Sequence, residues 1–240
     1  MKLIINADDF GLSKSISDGI ILGIKEGYIT STSIMSNMPF AKYAIKKAIE
    51  QGINCIGLHI NLTVGKPIIK NRNLVDNEGV FYYNRAQIEN PKLTYQDVYN
   101  EIMAQMDIVS KYSNGKLKSD HLDTHHHLMD NPNIKQAIID ISKRFNIPIR
   151  KDNLEEIKCP DVLYKDFTIN NVNVDSIRNM IETYKEKNVV VELMTHPGFI
   201  DENTKLVTSY LNRENELNIL KESKKAGLFE EVELINFQQI

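Results

Sequence analysis

Tryptophan is absent from this 240-residue chain, and cysteine occurs only twice, at Cys55 and Cys159. The two cysteines lie far apart and neither belongs to a C-x-x-C pair, so nothing supports a disulfide framework or a thiolate metal site. Cys55 sits in an apolar run and reads as a small buried residue. No apolar run is long enough to span a membrane. The start, MKLIINADDF, reaches acidic residues too early for a signal peptide, and the chain reads as cytoplasmic, with no membrane partner. A net charge of −3 lacks the basic excess that nucleic acid or an acidic membrane surface would call for. Repeats, low-complexity tracts and linkers are also missing. What remains is ordinary for a soluble globular protein, 42% hydrophobic and 25% charged. That is enough for a sizeable core and fits one domain over residues 1–240.

Histidine is scarce as well, and its six copies are concentrated. Four fall within Asp120-His121-Leu122-Asp123-Thr124-His125-His126-His127-Leu128; the others are His59 and His196. As a β-strand this run would set His121, Asp123, His125 and His127 on one face. Leu122, Thr124, His126 and Leu128 would form the other. A face of imidazole and carboxylate is costly to bury without a cation or full hydrogen bonding. Carboxylate plus imidazole, without thiolate, suits Zn²⁺, Mn²⁺, Co²⁺ or Mg²⁺ with positions left for water. A solvated polar loop is the plainer alternative.

Along the chain, Leu3–Ala7 reads as a buried strand ending in Asp8-Asp9-Phe10-Gly11, two adjacent acids before a turn. Ser13 or Ser15 could cap a helix over Ile16 to Glu26. Strands are expected over Thr30–Met35 and Cys55–Leu62, with a helix over Ala41–Gln51 between them. From Thr63 to Lys92 periodicity lapses, suggesting a lid or substrate loop. Phe81, Tyr82 and Tyr83 within it either stack on a ligand or pin the loop to the body. Helices follow over Thr94–Tyr112 and from Pro132 to Phe145. Ile147–Arg150 is a short strand ending in a cation, and Asp161–Thr168 is weakly strand-like. After a helix over Asp175–Lys187, Val189–Met194 is the most β-prone run, ending in Thr195-His196-Pro197-Gly198. A last helix spans Arg213–Lys225, and Val232–Ile235 forms a final strand.

Strands and helices alternate throughout, which argues for a parallel sheet. Seven or eight such units favour a closed, TIM-like (β/α) barrel, distorted or regular, over an open sheet. In these folds chemistry gathers at the carboxyl ends of strands. Asp8, Asp9, His59, His125, Arg150 and His196 each fall at or near one.

Six segments also resemble the YdjC-like carbohydrate deacetylases, a family that includes chitooligosaccharide deacetylases. They are Asn6-Ala7-Asp8-Asp9-Phe10-Gly11-Leu12-Ser13, Thr30-Ser31-Thr32, Gly57-Leu58-His59, Thr63-x-Gly65-Lys66-Pro67, His121–His127 and His196-Pro197-Gly198-Phe199-Ile200-Asp201. The resemblance implies a TIM-like barrel with one divalent cation, usually Mg²⁺, with Zn²⁺ or Mn²⁺ as alternatives. Asp9, His59 and His125 would hold it. It implies hydrolysis of the acetamido group of an N-acetylated sugar, releasing acetate, and it suggests a homodimer. By analogy with polysaccharide deacetylases, Asp8 looks like the general base. His196 is the candidate acid, with His127 in reserve, and Arg150 would hold Asp8 ionised or orient it. Asp123 looks like a partner for an imidazole. His127, Asp123, Phe81 and Tyr82 are the candidate substrate contacts. One departure is Met129, where the family commonly has another His.

Two other readings fit some of these residues. A metal-dependent phosphoesterase also uses carboxylates and histidines, but a second ligand set and a Gly-rich phosphate cradle are missing. A catalytically silent sugar-binding protein on the same fold is the alternative outside enzymology.

Overall fold

The computed structural model describes residues 1–151 and 157–240. The amino-terminal half runs β1 (Lys2–Phe10), α1 (Lys14–Glu26), β2 (Ser31–Ile34), α2 (Ala41–Glu50), β3 (Ile56–Ile60), α3 (Arg85–Ile88), α4 (Tyr95–Tyr112) and β4 (Leu122–Thr124). The remainder runs α5 (Pro132–Phe145), β5 (Val162–Tyr164), α6 (Val174–Tyr184), β6 (Val190–Thr195), α7 (Glu202–Val207), α8 (Arg213–Lys225) and β7 (Glu233–Leu234). Helix boundaries follow local chemistry. Ser13 caps α1 by accepting from the Ile16 N–H, and Gly27 ends it at φ 72°. Thr94 and Asp97 form a capping box on α4, and Pro132 opens α5 behind an Asn131 cap.

The strands are parallel, in the order β4-β3-β2-β1-β6-β5, with β7 beside the start of β1. Central β1 is buried on both faces from Leu3 onward, apolar in its first half and carrying Asn6, Asp8 and Asp9 in its second. The closed TIM-like barrel expected from the alternation of elements is not what forms. Among the described residues no ladder joins β4 to β5, and the sheet is an open, curved half-barrel.

Two local causes are visible. Ile147–Arg150, expected as a strand, makes only one bridge, Leu122 with Ile149. Pro148 can accept from the Leu122 N–H but has no donor of its own to continue a ladder. The last strand, β7, pairs with Lys2 and Leu3 of β1 instead of extending the rim. Between the β4 and β5 edges lies a cavity of about 250 Å³, lined by Leu122, Ile149 and Leu163 among others.

The sheet's amino-terminal end is plugged by the chain's own end. Phe237 stacks on the buried His121 ring, centroids 3.7 Å apart. His121 lies over Gly57, where an added Cβ would come within 2.3 Å of the ring. Held between Phe237 and β3, that ring cannot retreat. Gly57→Ala is therefore expected to cost about 1–3 kcal/mol by overpacking, read as a lower melting temperature. A variant that melts with the wild type would show that the stack yields freely.

The long Thr63–Lys92 segment is irregular but anchored. Buried Glu101 accepts from the Ile68 and Ile69 N–H groups at 2.9 and 3.0 Å. Buried Gln87 donates to the Leu62 and Leu74 carbonyls at 2.8 and 3.0 Å. Phe81 is buried and bridges Val75, so this aromatic pins the loop, whereas Tyr83 is exposed.

Candidate active site

At the carboxyl end of β1 the register with β2 shifts between Ala7 and Phe10, and Asp9 takes a left-handed φ of 68°. The strand thus runs on through Asp8 and Asp9 as a bulge instead of ending at Ala7. A bulge re-aims side chains, and here it separates the two carboxylates. Asp9 faces His59 and His125; Asp8 faces Arg150 and His196.

Asp9 Oδ1 lies 3.3 Å from His59 Nε2 and 3.1 Å from His125 Nδ1, and those two nitrogens are 3.3 Å apart. Asp9 Oδ1 is buried and has no hydrogen-bond partner. His59 Nδ1 is taken by Asp123 at 2.8 Å, which leaves Nε2 to face Asp9. A small cation bonded to N and O at ~2.0–2.2 Å holds its ligand atoms roughly 3 Å apart, so this trio fits one divalent ion. Burial alone would lower the His59 pKa, but Asp123 and Asp8 outweigh it and raise it to about 10. A cation held among these groups would take the place of that proton. Burial opposes the Asp9 charge too, yet Arg213 and His125 hold its carboxyl well below the usual range. Arg213 Nη2 reaches Asp9 Oδ2 at 2.6 Å.

A second group, Asp8, His59 and Asp123, also converges. Its space already holds a cation, because Arg150 Nη2 sits 2.7 Å from Asp8 and 3.0 Å from Asp123. Arg150 grips Asp8 with both terminal nitrogens, and Nε donates to Glu192 at 2.8 Å. Burial works against ionising Asp8, but Arg150 brings its pKa below the ordinary value. One guanidinium cannot do this for every acid around it: burial leaves the Glu192 pKa raised despite the same partner. Asn6 and Ser33 complete the network, donating to Asp8 at 2.9 Å and Asp123 at 2.7 Å.

His196 Nε2 stands 3.8 Å from Asp8 Oδ2. Its surroundings desolvate it and hold its pKa at about 4, although Asp8 and Asp9 pull upward. The imidazole rests neutral.

The His-rich run departs from simple alternation. Its strand stops at Thr124, and His126 and His127 adopt positive φ of 64° and 53°. His125 joins Asp9 and His59, but His121 belongs to the plug at the opposite end and Asp123 is buried among His59, Ser33 and Arg150. His127 borders both the small cavity and a larger one of about 1040 Å³. Phe81, Tyr82, Tyr83 and His196 also line the larger cavity, which opens over Asp9 and His125. Met129 lines the smaller one.

Residue patterns did not single out Ser33, Glu192, Tyr210, Arg213 or Glu216. Glu192 carried a signal, a lone acid inside the most β-prone run. Arg213 and Glu216 read as the ordinary polar face of a helix.

The sequence model described as YdjC-like protein matches residues 2–231. The chain belongs to the YdjC-like family. A carbohydrate deacetylase of Clostridium beijerinckii is 33% identical over 251 residues, covering 100% of both chains. One from Oceanobacillus iheyensis is 36% identical over 227 residues, covering 92% of this chain and 96% of its own. Among solved structures, a candidate cellobiose-phosphate cleavage protein of Enterococcus faecalis superposes with a TM-score of 0.89 at 28% identity, covering 99% of this chain and 98% of that one. A peptidoglycan N-acetylglucosamine deacetylase shares the fold at a TM-score of 0.55 and 12% identity, covering 98% of this chain and 85% of its own. Fold and motifs therefore agree over nearly the whole YdjC-like chain. Among its described residues no helix is long and apolar enough to cross a membrane.

Proposed function

We propose that the protein is a metal-dependent carbohydrate deacetylase that hydrolyses the acetamido group of an N-acetylated sugar, a chitooligosaccharide or similar. The carrying observation is the β1 bulge, which points Asp9 at two imidazoles and Asp8 at Arg150 and His196. The relatives named carbohydrate deacetylases support the substrate class.

Asp9, His59 and His125 would hold one divalent cation. Such a cation supplies Lewis-acid polarisation of the amide carbonyl and a lower pKa for water. Two imidazoles with one carboxylate suit Zn²⁺ better than Mg²⁺, which prefers oxygen. Asp8, kept ionised by Arg150, takes the proton from the attacking water. His196 hands a proton to the departing amine. Asp8 ionised and His196 neutral enter with no spare proton, so Asp8, once protonated by water, passes that proton to His196 Nε2, 3.8 Å away, and the imidazolium so formed gives it to the departing amine. Asp123 fixes the His59 ring by accepting from Nδ1. The phosphoesterase alternative needs a second cation, and Arg150 already neutralises the only other converging carboxylate group among the described residues.

The direct test is acetate release from N,N′-diacetylchitobiose by protein loaded in turn with Zn²⁺, Mn²⁺, Co²⁺ and Mg²⁺. Release that stops on chelation and returns with metal is expected. Sugar binding without release under any ion would leave the silent sugar-binding reading.

The long loop gives a milder expectation. Its buried anchors mean that shortening it would cost stability, so a single exposed side chain is the better probe. Tyr83 stands edge-on to His126, centroids 5.1 Å apart, on the wall of the large cavity. Tyr83→Ala should raise KM about 2–10-fold, the worth of one aromatic contact, with kcat and Tm near wild type. Unchanged KM would remove Tyr83 from the sugar site.

A further inference from the structure

β6 ends at Thr195, so His196 leaves the sheet with a backbone N–H and C=O that no strand ladder meets. Both are met from α8. Glu216 accepts from the His196 N–H at 2.5 Å, and Arg213 Nη1 donates to the His196 carbonyl at 3.3 Å. These side chains lie three residues apart, on one face of the helix. Arg213 is also the residue whose Nη2 grips Asp9. A single turn of α8 therefore fixes the peptide of His196 and the carboxylate of Asp9.

The other oxygen of Glu216 accepts from the Tyr210 hydroxyl. The Tyr210 ring in turn stands edge-on to the His196 imidazole, centroids 5.5 Å apart. Glu216 is wholly buried, and burial raises its pKa to about 7 against the pull of Tyr210, the His196 amide and Arg213. A buried carboxylate is expensive to keep when a neutral acceptor could satisfy one N–H. What the carboxylate adds is two acceptor atoms, one for the His196 backbone and one for the residue against its ring.

We infer that Glu216 is a positioning residue that holds His196 over Asp8, acting on its peptide directly and on its ring through Tyr210. The inference rests on the deacetylase reading, in which His196 protonates the departing amine.

The experiment compares metal-loaded wild type, His196→Ala, Glu216→Leu, Glu216→Gln and Tyr210→Phe, recording Zn²⁺ affinity, melting temperature, KM and kcat on N,N′-diacetylchitobiose. Glu216→Leu should lower kcat about 10–100-fold, the scale expected for ~1 Å of misplacement, while Zn²⁺ affinity and KM stay near wild type. Glu216→Gln should recover most of that loss, because its amide oxygen still accepts from the His196 N–H and its amide nitrogen can donate to Tyr210. Tyr210→Phe keeps the ring and loses only the hydroxyl, so a smaller fall in kcat is expected. Wild-type kcat in Glu216→Leu overturns the inference, as does a glutamine variant no better than leucine. Loss of Zn²⁺ in step with kcat also overturns it. If the leucine variant does not fold, Tyr210→Phe decides, and an unchanged kcat there overturns it. His196→Ala as active as wild type would instead overturn the acid role of His196, which separates failure of the underlying reading from failure of this one.

Discussion

His59→Ala and His125→Ala are each expected to abolish ion binding and turnover together. In each variant one of three ligand atoms set 3.1–3.3 Å apart is gone. Affinity should fall by more than the ~10–100-fold typical of losing a partner behind a ligand. His125 gives the cleaner test, since its side chain is 15% exposed and its removal opens little of the core. His59 is buried and holds Asp123, so its loss should also lower the melting temperature. Metal content after dialysis, measured beside kcat, checks both. Wild-type metal content in either variant would refute the assignment of that histidine.

Exchanging the two neighbouring carboxylates for amides should give opposite phenotypes. Asp8→Asn leaves the Asp9-His59-His125 trio untouched but removes the proton acceptor. The ion should stay while kcat falls ~10²–10⁴-fold, the usual range for losing a general base. Asp9→Asn weakens the hold on the ion and leaves Arg213 facing a neutral amide in place of its 2.6 Å ion pair. Activity should then recover in part at high metal concentration. Should Asp8→Asn lose the ion and Asp9→Asn keep it, the roles are exchanged. If neither substitution alters turnover, the bulge is only a feature of the fold.

Much of this site was legible because each residue carries a local signal, although the residues come from separate strands. Asp8 and Asp9 are adjacent, His125 sits in a visibly unusual run, and His59 and His196 fall at strand ends that β-propensity locates. Helices with strong terminal chemistry were the easiest elements: Pro132 after Asn131 marks the start of α5 unambiguously. Sheet closure was not legible, because it depends on whether two three-residue strands, β4 and β5, find each other across the open side. Nothing in the alternation of helices and strands decides that. The direction of Asp8 relative to Asp9 was only half legible: alternation separates them, but the bulge that extends β1 past Ala7 is a tertiary outcome. Arg213 and Glu216 were out of reach for a different reason. Charged residues on an amphipathic helix look alike until the packing shows which of them turn inward.

The pairing of β1 has a consequence for how the chain is made. Lys2 and Leu3 bond with Val190 and Val191 on one side and with Glu233 and Leu234 on the other. Once synthesised, β1 thus waits for partners far downstream in the chain, made roughly 10–50 s later at ~5–20 residues per second. During that interval the apolar run Leu3–Ile5 has no native neighbour on one whole edge. Pairing of such large sequence separation is slow to form and exposed to misassociation. Fast translation, or a chaperone that shields nascent β1, should raise the soluble yield, and truncation before Glu233 should lower it well before it touches any residue of the site.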